Sequence, residues 1–103
     1  MKTEKTLVII PTYNEHENVR KLIPDVLSQD ESIHLLIVDD GSPDGTGNYV
    51  EEESRKNNRI HLLKREKKMG LGTAYLAGFK YALKNDYDFI FEMDADFSHD
   101  PNE

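Results

Sequence analysis

Four short apolar runs, separated by segments with helical periodicity, constrain the fold of this chain more than any other feature. The runs cover residues 6–10, 33–38, 60–63 and 89–93 and are rich in Ile, Leu, Val and Phe. Pro11 follows the first run and is expected to end that strand. Strands and helices that alternate with short connections are typical of βαβ units. The sequence therefore predicts an α/β fold, a Rossmann-like βαβαβαβ arrangement with a parallel sheet.

Three helices are predicted between these strands. The first and third are indicated by apolar stripes at residues 19–27 and 71–83, and the second is a weaker, mostly polar helix over residues 46–56. The first has Asn14 as its expected N-cap and contains Pro24, which predicts a kink or a restart. The third has the clearest apolar stripe in the chain. Gly78 lies on that stripe, so we expect this helix to approach the sheet closely there.

Composition limits the possible classes of protein. A chain of 103 residues supports one modest core. It contains no cysteine, which excludes disulfides and thiolate metal sites. Its formal charge of −7 argues against general nucleic-acid binding, which depends on clustered Lys and Arg. No apolar run approaches the length of about 18 residues that a membrane span needs.

The unusual polar residues follow the strands. The segments that leave the four strands are residues 11–15, 39–42, 64–69 and 94–96. In parallel α/β sheets, ligands bind beyond the carboxyl ends of the strands. We therefore expect these segments to meet at one edge of the sheet and to form the functional site.

Asp94 and Asp96 are two residues apart at the end of a predicted strand, so their side chains point the same way. Two close carboxylates repel each other unless a cation lies between them. Together with diphosphate oxygens they suit Mg²⁺ or Mn²⁺. An ordinary solvated turn would also explain a lone pair of aspartates. Their position on the shared edge favours the metal site.

Other residues on the edge have two interpretations each. Tyr13 could pack against a nucleotide base, and Glu15 and Asp40 could accept hydrogen bonds from one. Helix and turn capping would explain the same residues, with Asp39 or Asp40 at the turn 41–42 and Asp44 at the next helix. The basic run, formed by Lys64, Arg65, Lys67 and Lys68, could bind phosphate, but a solvated face is the simpler interpretation. His34 and His61 lie in predicted strands and are expected to be structural.

Four motifs in order carry a family resemblance. They are VIIPTYNE at residues 8–15, VDDGSPDGT at 38–46, GLGTA at 70–74 and MDADFSH at 93–99. Together they resemble the GT-A-fold, family 2 inverting glycosyltransferases, and within these the dolichol-phosphate (polyprenol-phosphate) mannosyltransferases. The resemblance implies that residues 1–103 form the N-terminal nucleotide-sugar-binding part of a single GT-A domain that is truncated at its C-terminal end.

The resemblance also implies a role for each matching residue. The residues expected around the donor are Pro11, Tyr13, Glu15, Val38, Asp40, Asp94, Ala95 and Asp96. Asp94, Asp96 and Ser98 would hold Mg²⁺ or Mn²⁺, and Asp96 is the expected catalytic residue. The implied reaction transfers mannose from GDP-mannose to a polyprenyl or dolichyl phosphate. Since that acceptor is already a nucleophilic anion, a strong general base is not required.

The acceptor-binding half of the family would follow Glu103. We therefore expect this chain to bind the donor and to have little or no activity alone. Membrane association is expected through the missing part, in a protein that is cytoplasmic or peripheral at the cytoplasmic face of a membrane. A homodimer is also expected to be possible, because the sheet edge and core are uncovered at the truncation.

Three alternatives stay open at the level of sequence. The first is another family 2 glycosyltransferase that uses a UDP-sugar to modify a glycan or lipid. The second is a receiver-type signalling module. Such modules place an acidic pair after the first strand and the phosphoacceptor after the third, whereas the acidic clusters of this chain follow the second and fourth strands. The third is a non-catalytic association fragment.

Overall fold

Strands and helices alternate along the chain in the order that the apolar runs predict. The computed structural model describes residues 5–66 and 70–95. The elements are β1 (Thr6–Thr12), α1 (His16–Leu27), β2 (Ile33–Asp39), α2 (Thr46–Lys56), β3 (Ile60–Lys64), α3 (Leu71–Lys84) and β4 (Phe89–Glu92). None of the helices in this described part has the length and apolar composition that crossing a bilayer demands.

The strands form one sheet in the order β3-β2-β1-β4, and every neighbouring pair is parallel. From β1 the chain builds outward through β2 to β3 and then crosses back to place β4 on the other side of β1. The strand order therefore changes direction at β1, which is where ligands bind in open α/β sheets. The predicted α/β fold with a parallel sheet is confirmed.

Two apolar clusters cover the two faces of the sheet. On one face Val8 and Ile10 of β1 pack with Val19 of α1 and Val50 of α2. On the other face, β1 and β2 pack against α3 through a second set of buried residues, which includes Leu7, Ile9, Leu36, Val38, Ala74 and Ala82. Because β1 and β2 are buried on both faces, their sequences are continuous apolar runs without the alternation of a half-exposed strand.

Gly78 brings α3 close to β1, as the sequence predicts. A Cβ atom added to Gly78 would lie 2.6 Å from Cγ2 of Ile9. Since the side chain of Ile9 is fully buried, it has little room to move away. Glycine is therefore required here for close packing of the helix against the sheet.

Two predicted boundaries are wrong. β1 continues through Pro11, which pairs with Val38 of β2, and ends at Thr12. Ile9 bonds on the β4 side, where its oxygen accepts from the amide of Met93. The N–H and C=O groups of successive β1 residues point alternately toward β2 and toward β4. The nitrogen of Pro11, two residues after Ile9, therefore also points toward the β4 side. The pairing with β4 stops at Ile9, and the missing N–H of Pro11 therefore removes no bond from the sheet.

The start of α1 also differs from the prediction. The helix begins at His16, and Asn14 is not its N-cap but lies before it with a φ of 56°. Pro24 does not interrupt the helix, which continues to Leu27. Proline removes one backbone hydrogen bond, but the buried side chains of this helix on both sides of Pro24 hold its apolar face against the sheet.

His34 and His61 contact each other at the amino-terminal end of the sheet. His34 Nδ1 lies 2.9 Å from His61 Nε2, and the hydroxyl of Tyr87 lies 3.2 Å from both nitrogens. The two rings are nearly parallel, with an angle of 9° between their planes. Burial lowers the pKa of both imidazoles, and the charge of Lys5 lowers both further. This cluster joins β2, β3 and the segment before β4, in keeping with a structural role.

The β4 side of the sheet exposes apolar side chains. Phe89, Phe91 and Met93 are exposed along and just after β4. Leu76, Phe79 and Leu83 are exposed on α3. Among the described residues, only Tyr13 is a large exposed apolar side chain outside this region. The sheet edge beyond β4 is therefore the least covered part of the described structure.

Candidate functional site

Three strands end together at one edge of the sheet. Thr12 of β1 pairs with Asp39 of β2, and Asp39 pairs with Lys64 of β3. Backbone bonds continue past the strands, from the amide of Asp40 to Thr12 O at 3.1 Å and from the amide of Arg65 to Asp39 O at 2.7 Å. The predicted convergence of polar segments at the carboxyl edge is therefore present for the described residues that follow β1, β2 and β3.

Asp39 holds the turn that follows β2. Its carboxylate accepts hydrogen bonds from Thr12 Oγ1 at 2.7 Å, from the amide of Ser42 at 3.1 Å and from Ser42 Oγ at 2.6 Å. Gly41 has a φ of 69°, and a Cβ there would lie 2.5 Å from the backbone oxygen of Glu66. Of the two aspartates, Asp39 is thus the one that caps the turn, and glycine is required beside it.

Asp40 forms a two-point ion pair with Arg65. Arg65 Nε donates to Asp40 Oδ1 at 2.6 Å, and Arg65 Nη2 donates to Oδ2 at 2.8 Å. The two side chains are only 7% and 13% exposed. Arg65 also donates to Thr73 Oγ1 at 3.1 Å and to Gly70 O at 3.4 Å. The pair therefore connects the end of β2 to the start of α3.

The pairing of Arg65 with Asp40 was not predicted from the sequence, which offered Arg65 only as part of a basic run that could bind phosphate. The interpretation of the basic run as a solvated face is wrong for this residue, whose pKa is raised by its hydrogen bond to Asp40. Lys64 is half exposed and pairs with Glu51 at 3.0 Å. Residues 67–69 lie outside the described part of the chain. The available signal was the position of Arg65 directly after β3, the neighbour of β2, from which a cation can pair with a carboxylate that follows β2.

The turn between β1 and α1 presents Tyr13 and Glu15. Tyr13 is 38% exposed, so part of its side chain is accessible to a ligand. Glu15 is half-buried, and its Oε2 accepts a hydrogen bond from Asn18 Nδ2 at 2.8 Å. An exposed ring beside a carboxylate is suited to a planar base with N–H donors. Their assignment to base binding stays a prediction.

Asp44 has the capping role that one interpretation gave it. Its Oδ1 accepts from the amide of Thr46, the first residue of α2, at 3.0 Å. It also accepts from the Thr46 hydroxyl. Burial raises the pKa of Asp44, but hydrogen bonds from Thr46 and His16 outweigh this effect, and the pKa lies below its usual value. The group is therefore an anionic acceptor at neutral pH.

The side chains of Pro11 and Val38 are buried in the sheet. Val38 is fully buried and packs with α3, while Pro11 lies within β1. Neither side chain is available to a ligand. Their predicted contact with the donor would therefore have to come from backbone atoms at the strand ends.

Asp94 is exposed just beyond β4, and its Oδ1 accepts from the hydroxyl of Tyr75 at 3.2 Å. Ala95 is 3% exposed and packs in the core on the α1 face. Asp96 and Ser98 lie outside the described residues, so their metal-binding and catalytic roles stay predictions. Within residues 5–66 and 70–95, no three His, Asp or Glu side chains form a metal-binding group. An exposed carboxylate on this edge nevertheless fits one position of a Mg²⁺ or Mn²⁺ site.

Two concave regions lie beside the turns of this edge. One, of about 270 Å³, is lined by residues that include Ser42, Asn48, Lys64 and Arg65. The other, of about 400 Å³, lies in front of α1. A larger groove of about 620 Å³ runs along β3 instead, beside His61 and Tyr81. This larger groove is not at the carboxyl edge, and the site is therefore identified by its chemistry rather than by its size.

Comparison with known proteins gives a family match over nearly the whole chain. Residues 7–103 match the profile described as glycosyl transferase family 2. The chain is 50% identical over 102 residues to a polyprenol monophosphomannose synthase of Mycolicibacterium smegmatis, covering 98% of this chain and 38% of that protein. It is 42% identical over 99 residues to an undecaprenyl-phosphate mannosyltransferase of Micrococcus luteus, covering 96% of this chain and 41% of the relative.

A solved structure has the same fold. It is a mannosyltransferase of Pyrobaculum calidifontis in complex with GDP-Man and Mn²⁺, with a TM-score of 0.68 and 23% sequence identity. The match covers 79% of this chain and 25% of that one. This chain thus spans about two fifths of the length of the two sequence relatives. The family match also overturns the alternative of a receiver-type signalling module.

Proposed function

The chain belongs to glycosyl transferase family 2, and we propose that it forms the donor-binding part of an inverting, metal-dependent enzyme. In this proposal the enzyme transfers mannose from GDP-mannose to a polyprenyl or dolichyl phosphate. The names of the two relatives support this substrate class. The structural observation that carries the proposal is the carboxyl edge, where the Asp40–Arg65 pair, Tyr13 and Glu15 follow neighbouring strands.

The base would bind at the ends of β1 and β2. Tyr13 offers an exposed ring for packing against it. A carboxylate oxygen has two acceptor sites, so Asp40 can receive a base N–H while it keeps its bonds to Arg65. The guanidinium holds Asp40 in one orientation and compensates its charge. A ring N–H of guanine or uracil would then be received at a defined position.

The diphosphate would lie near Asp94. Asp94, Asp96 and Ser98 would hold Mg²⁺ or Mn²⁺, which supplies positive charge for the donor diphosphate and for the nucleoside diphosphate that leaves. Tyr75 would orient Asp94 through its hydrogen bond. Asp96 would lie next to the reacting sugar as the catalytic residue. The acceptor phosphate is an anion at neutral pH, so it attacks the anomeric carbon without prior removal of a proton.

The acceptor site would come from the region of the relatives that this chain does not span. The same proposal includes association with the cytoplasmic face of a membrane through that region. It also includes contact of the apolar β4 side with further polypeptide or with a second copy, because Phe89 and Phe91 are exposed there. The 103-residue chain alone should therefore bind the donor and show little or no transfer.

Calorimetry tests the donor site directly. GDP, UDP, GDP-mannose and UDP-glucose are titrated into the chain with and without Mn²⁺, and then into Asp94→Asn. We expect Mn²⁺-dependent binding of the guanine nucleotides and a loss of about tenfold in affinity for the variant, because a charged metal ligand is removed. Asp25→Asn, an exposed aspartate on α1, is the matched control. Affinity that is equal with and without Mn²⁺ would contradict the proposal, and preference for UDP-glucose would favour the alternative UDP-sugar enzyme.

A further inference from the structure

Three consecutive backbone amides at the start of α1 donate to side chains of another loop. The amide of Asn14 donates to Ser42 Oγ at 2.9 Å, and the amide of Glu15 donates to Thr46 Oγ1 at 3.2 Å. The amide of His16 donates to Asp44 Oδ2 at 3.2 Å. The three acceptors all belong to the short segment 42–46, which runs from the turn after β2 to the first residue of α2. We call this segment the acceptor loop.

The acceptors of this loop are themselves held in one orientation. Ser42 Oγ donates its proton to Asp39 Oδ1 at 2.6 Å, and the Thr46 hydroxyl donates to Asp44 Oδ1. Each hydroxyl proton is therefore directed at a carboxylate, which leaves the oxygen lone pairs for the amides. The carboxylate of Asp39 is anchored in turn by Thr12 Oγ1 at 2.7 Å. The polarity of every bond in this network is thereby defined.

In most helices, one of the first backbone amides donates a hydrogen bond to the side chain of the helix's own N-cap residue. In α1, Glu15 occupies that position and makes no side-chain capping bond. Asn14, just before it, has a φ of 56°, a conformation that asparagine tolerates better than most residues. The conformation of residues 13–16 is therefore decided by the acceptor loop, 28 to 31 residues away in sequence.

We propose that Ser42, Asp44 and Thr46 are positioning residues that set the orientation of Tyr13 and Glu15 for the donor nucleotide. This inference rests on the proposed function, because it assigns a purpose to a turn that is proposed to contact the base. None of the three acceptors has to touch the nucleotide. They act through the backbone amides of residues 14–16, which follow Tyr13 directly and include that of Glu15, so their loss should change donor affinity more than it changes overall stability.

Thr46 allows the sharpest test, because its side chain is fully buried and its hydroxyl receives the amide of Glu15. Thr46→Val keeps the branched shape and removes the acceptor, whereas Thr46→Ser keeps the acceptor. Ser42→Ala removes the acceptor of Asn14 at a more exposed position and provides a second, milder variant. Ser54→Ala is the matched control, because the Ser54 hydroxyl bonds within α2 to Glu51 O and not to the turn.

Amide hydrogen exchange reads out the network without any nucleotide. Thr46→Val should lose protection at the Glu15 amide, whereas Thr46→Ser should retain it there. Ser42→Ala should lose protection at the Asn14 amide. Ser54→Ala should match the wild type. Unchanged protection at Glu15 and Asn14 in both acceptor-deleting variants would overturn the inference, because the acceptors would then not hold the turn.

Calorimetric titration with GDP and Mn²⁺ reads out the consequence for binding. Thr46→Val or Ser42→Ala should bind GDP about tenfold more weakly than the wild type, as expected when a backbone donor loses its partner. Thr46→Ser should recover most of that loss, and Ser54→Ala should show none. Lost protection with unchanged GDP affinity would overturn the positioning role. A wild type that binds no nucleotide would refute the proposed function and the positioning role together, while the exchange data would still decide whether the acceptor loop holds the turn.

Discussion

The guanidinium of Arg65 meets the carboxylate of Asp40 at two points, Nε to Oδ1 at 2.6 Å and Nη2 to Oδ2 at 2.8 Å. This pair lies at the carboxyl edge of the sheet, where β2 and β3 end, and both side chains are nearly buried. A buried carboxylate needs either several hydrogen-bond donors, as Asp39 has in Thr12 and Ser42, or a partner of opposite charge, as Asp40 has in Arg65. The pair therefore has a structural effect that is separate from its proposed role in base recognition.

Removing the cation of this pair should destabilise the protein. We expect Arg65→Met to lower the free energy of unfolding by about 3–5 kcal/mol, because the buried carboxylate of Asp40 then loses its two-point partner of opposite charge. Urea denaturation at neutral pH measures the effect. Arg55→Met is the control, because Arg55 makes only an exposed pair with Glu51 on α2 and should cost less than about 1 kcal/mol. Equal losses of unfolding free energy in Arg65→Met and Arg55→Met would show that the Asp40–Arg65 pair stabilises the fold no more than an exposed ion pair does.

The histidine pair predicts a dependence of stability on pH. The pKa values of His34 and His61 are lowered in the folded protein, mainly by burial. The folded state therefore binds fewer protons than the unfolded state, and the contribution of the pair to stability is present above the unfolded pKa of about 6.5. This contribution is lost as the pH falls through the lower, folded pKa values. Four other side chains face the histidine pair, the cations of Lys5 and Arg59 and the phenols of Tyr81 and Tyr87. None of them reverses the direction in which stability depends on pH.

Urea midpoints between pH 5 and pH 7.5 test this dependence. His61→Gln should reduce the loss of stability of the wild type on acidification, because one of the two depressed imidazoles is removed. A His61→Gln profile that parallels the wild type would show that the pair is not responsible.

Two glycines of α3 should respond oppositely to alanine. Gly78→Ala places a Cβ 2.6 Å from Cγ2 of the buried Ile9, and we expect a loss of about 1–3 kcal/mol from overpacking. The Cβ of Gly72→Ala meets no atom of the described residues within 4 Å, and we expect a gain of up to about 1 kcal/mol from helix propensity. Thermal and urea unfolding of the two variants measure both effects. Stabilisation by Gly78→Ala would contradict the close approach of α3 to β1.

The elements of the fold follow from local patterns. The continuous apolar runs predict strands buried on both faces, and the stripe on α3, interrupted by Gly78, predicts a helix that packs closely on them. The start of α2 at Thr46 was predicted correctly. Errors occur where tertiary contacts override the local signal. Pro11 stays within β1 because β4 is too short to pair with it.

Partner choice within the site could not be predicted in the same way. The sequence leaves the roles of Asp39 and Asp40 open, because both follow the same strand. The structure separates them, with Asp39 bonded to Ser42 and Asp40 paired with Arg65. Both choices depend on which side of the strand end each carboxylate faces, and the second also depends on a residue 25 positions away.

By itself the sequence determined the alternation of strands and helices and the edge of the sheet on which the polar segments meet, because both follow from hydrophobic periodicity and from the rules of parallel sheets. Only the tertiary structure decided that Arg65 is the partner of Asp40 and that Ser42, Asp44 and Thr46 hold the turn with Tyr13 and Glu15. The physical reason is distance. Hydrogen bonds and ion pairs form within about 3 Å, and residues far apart in the chain come that close only after the strands have paired.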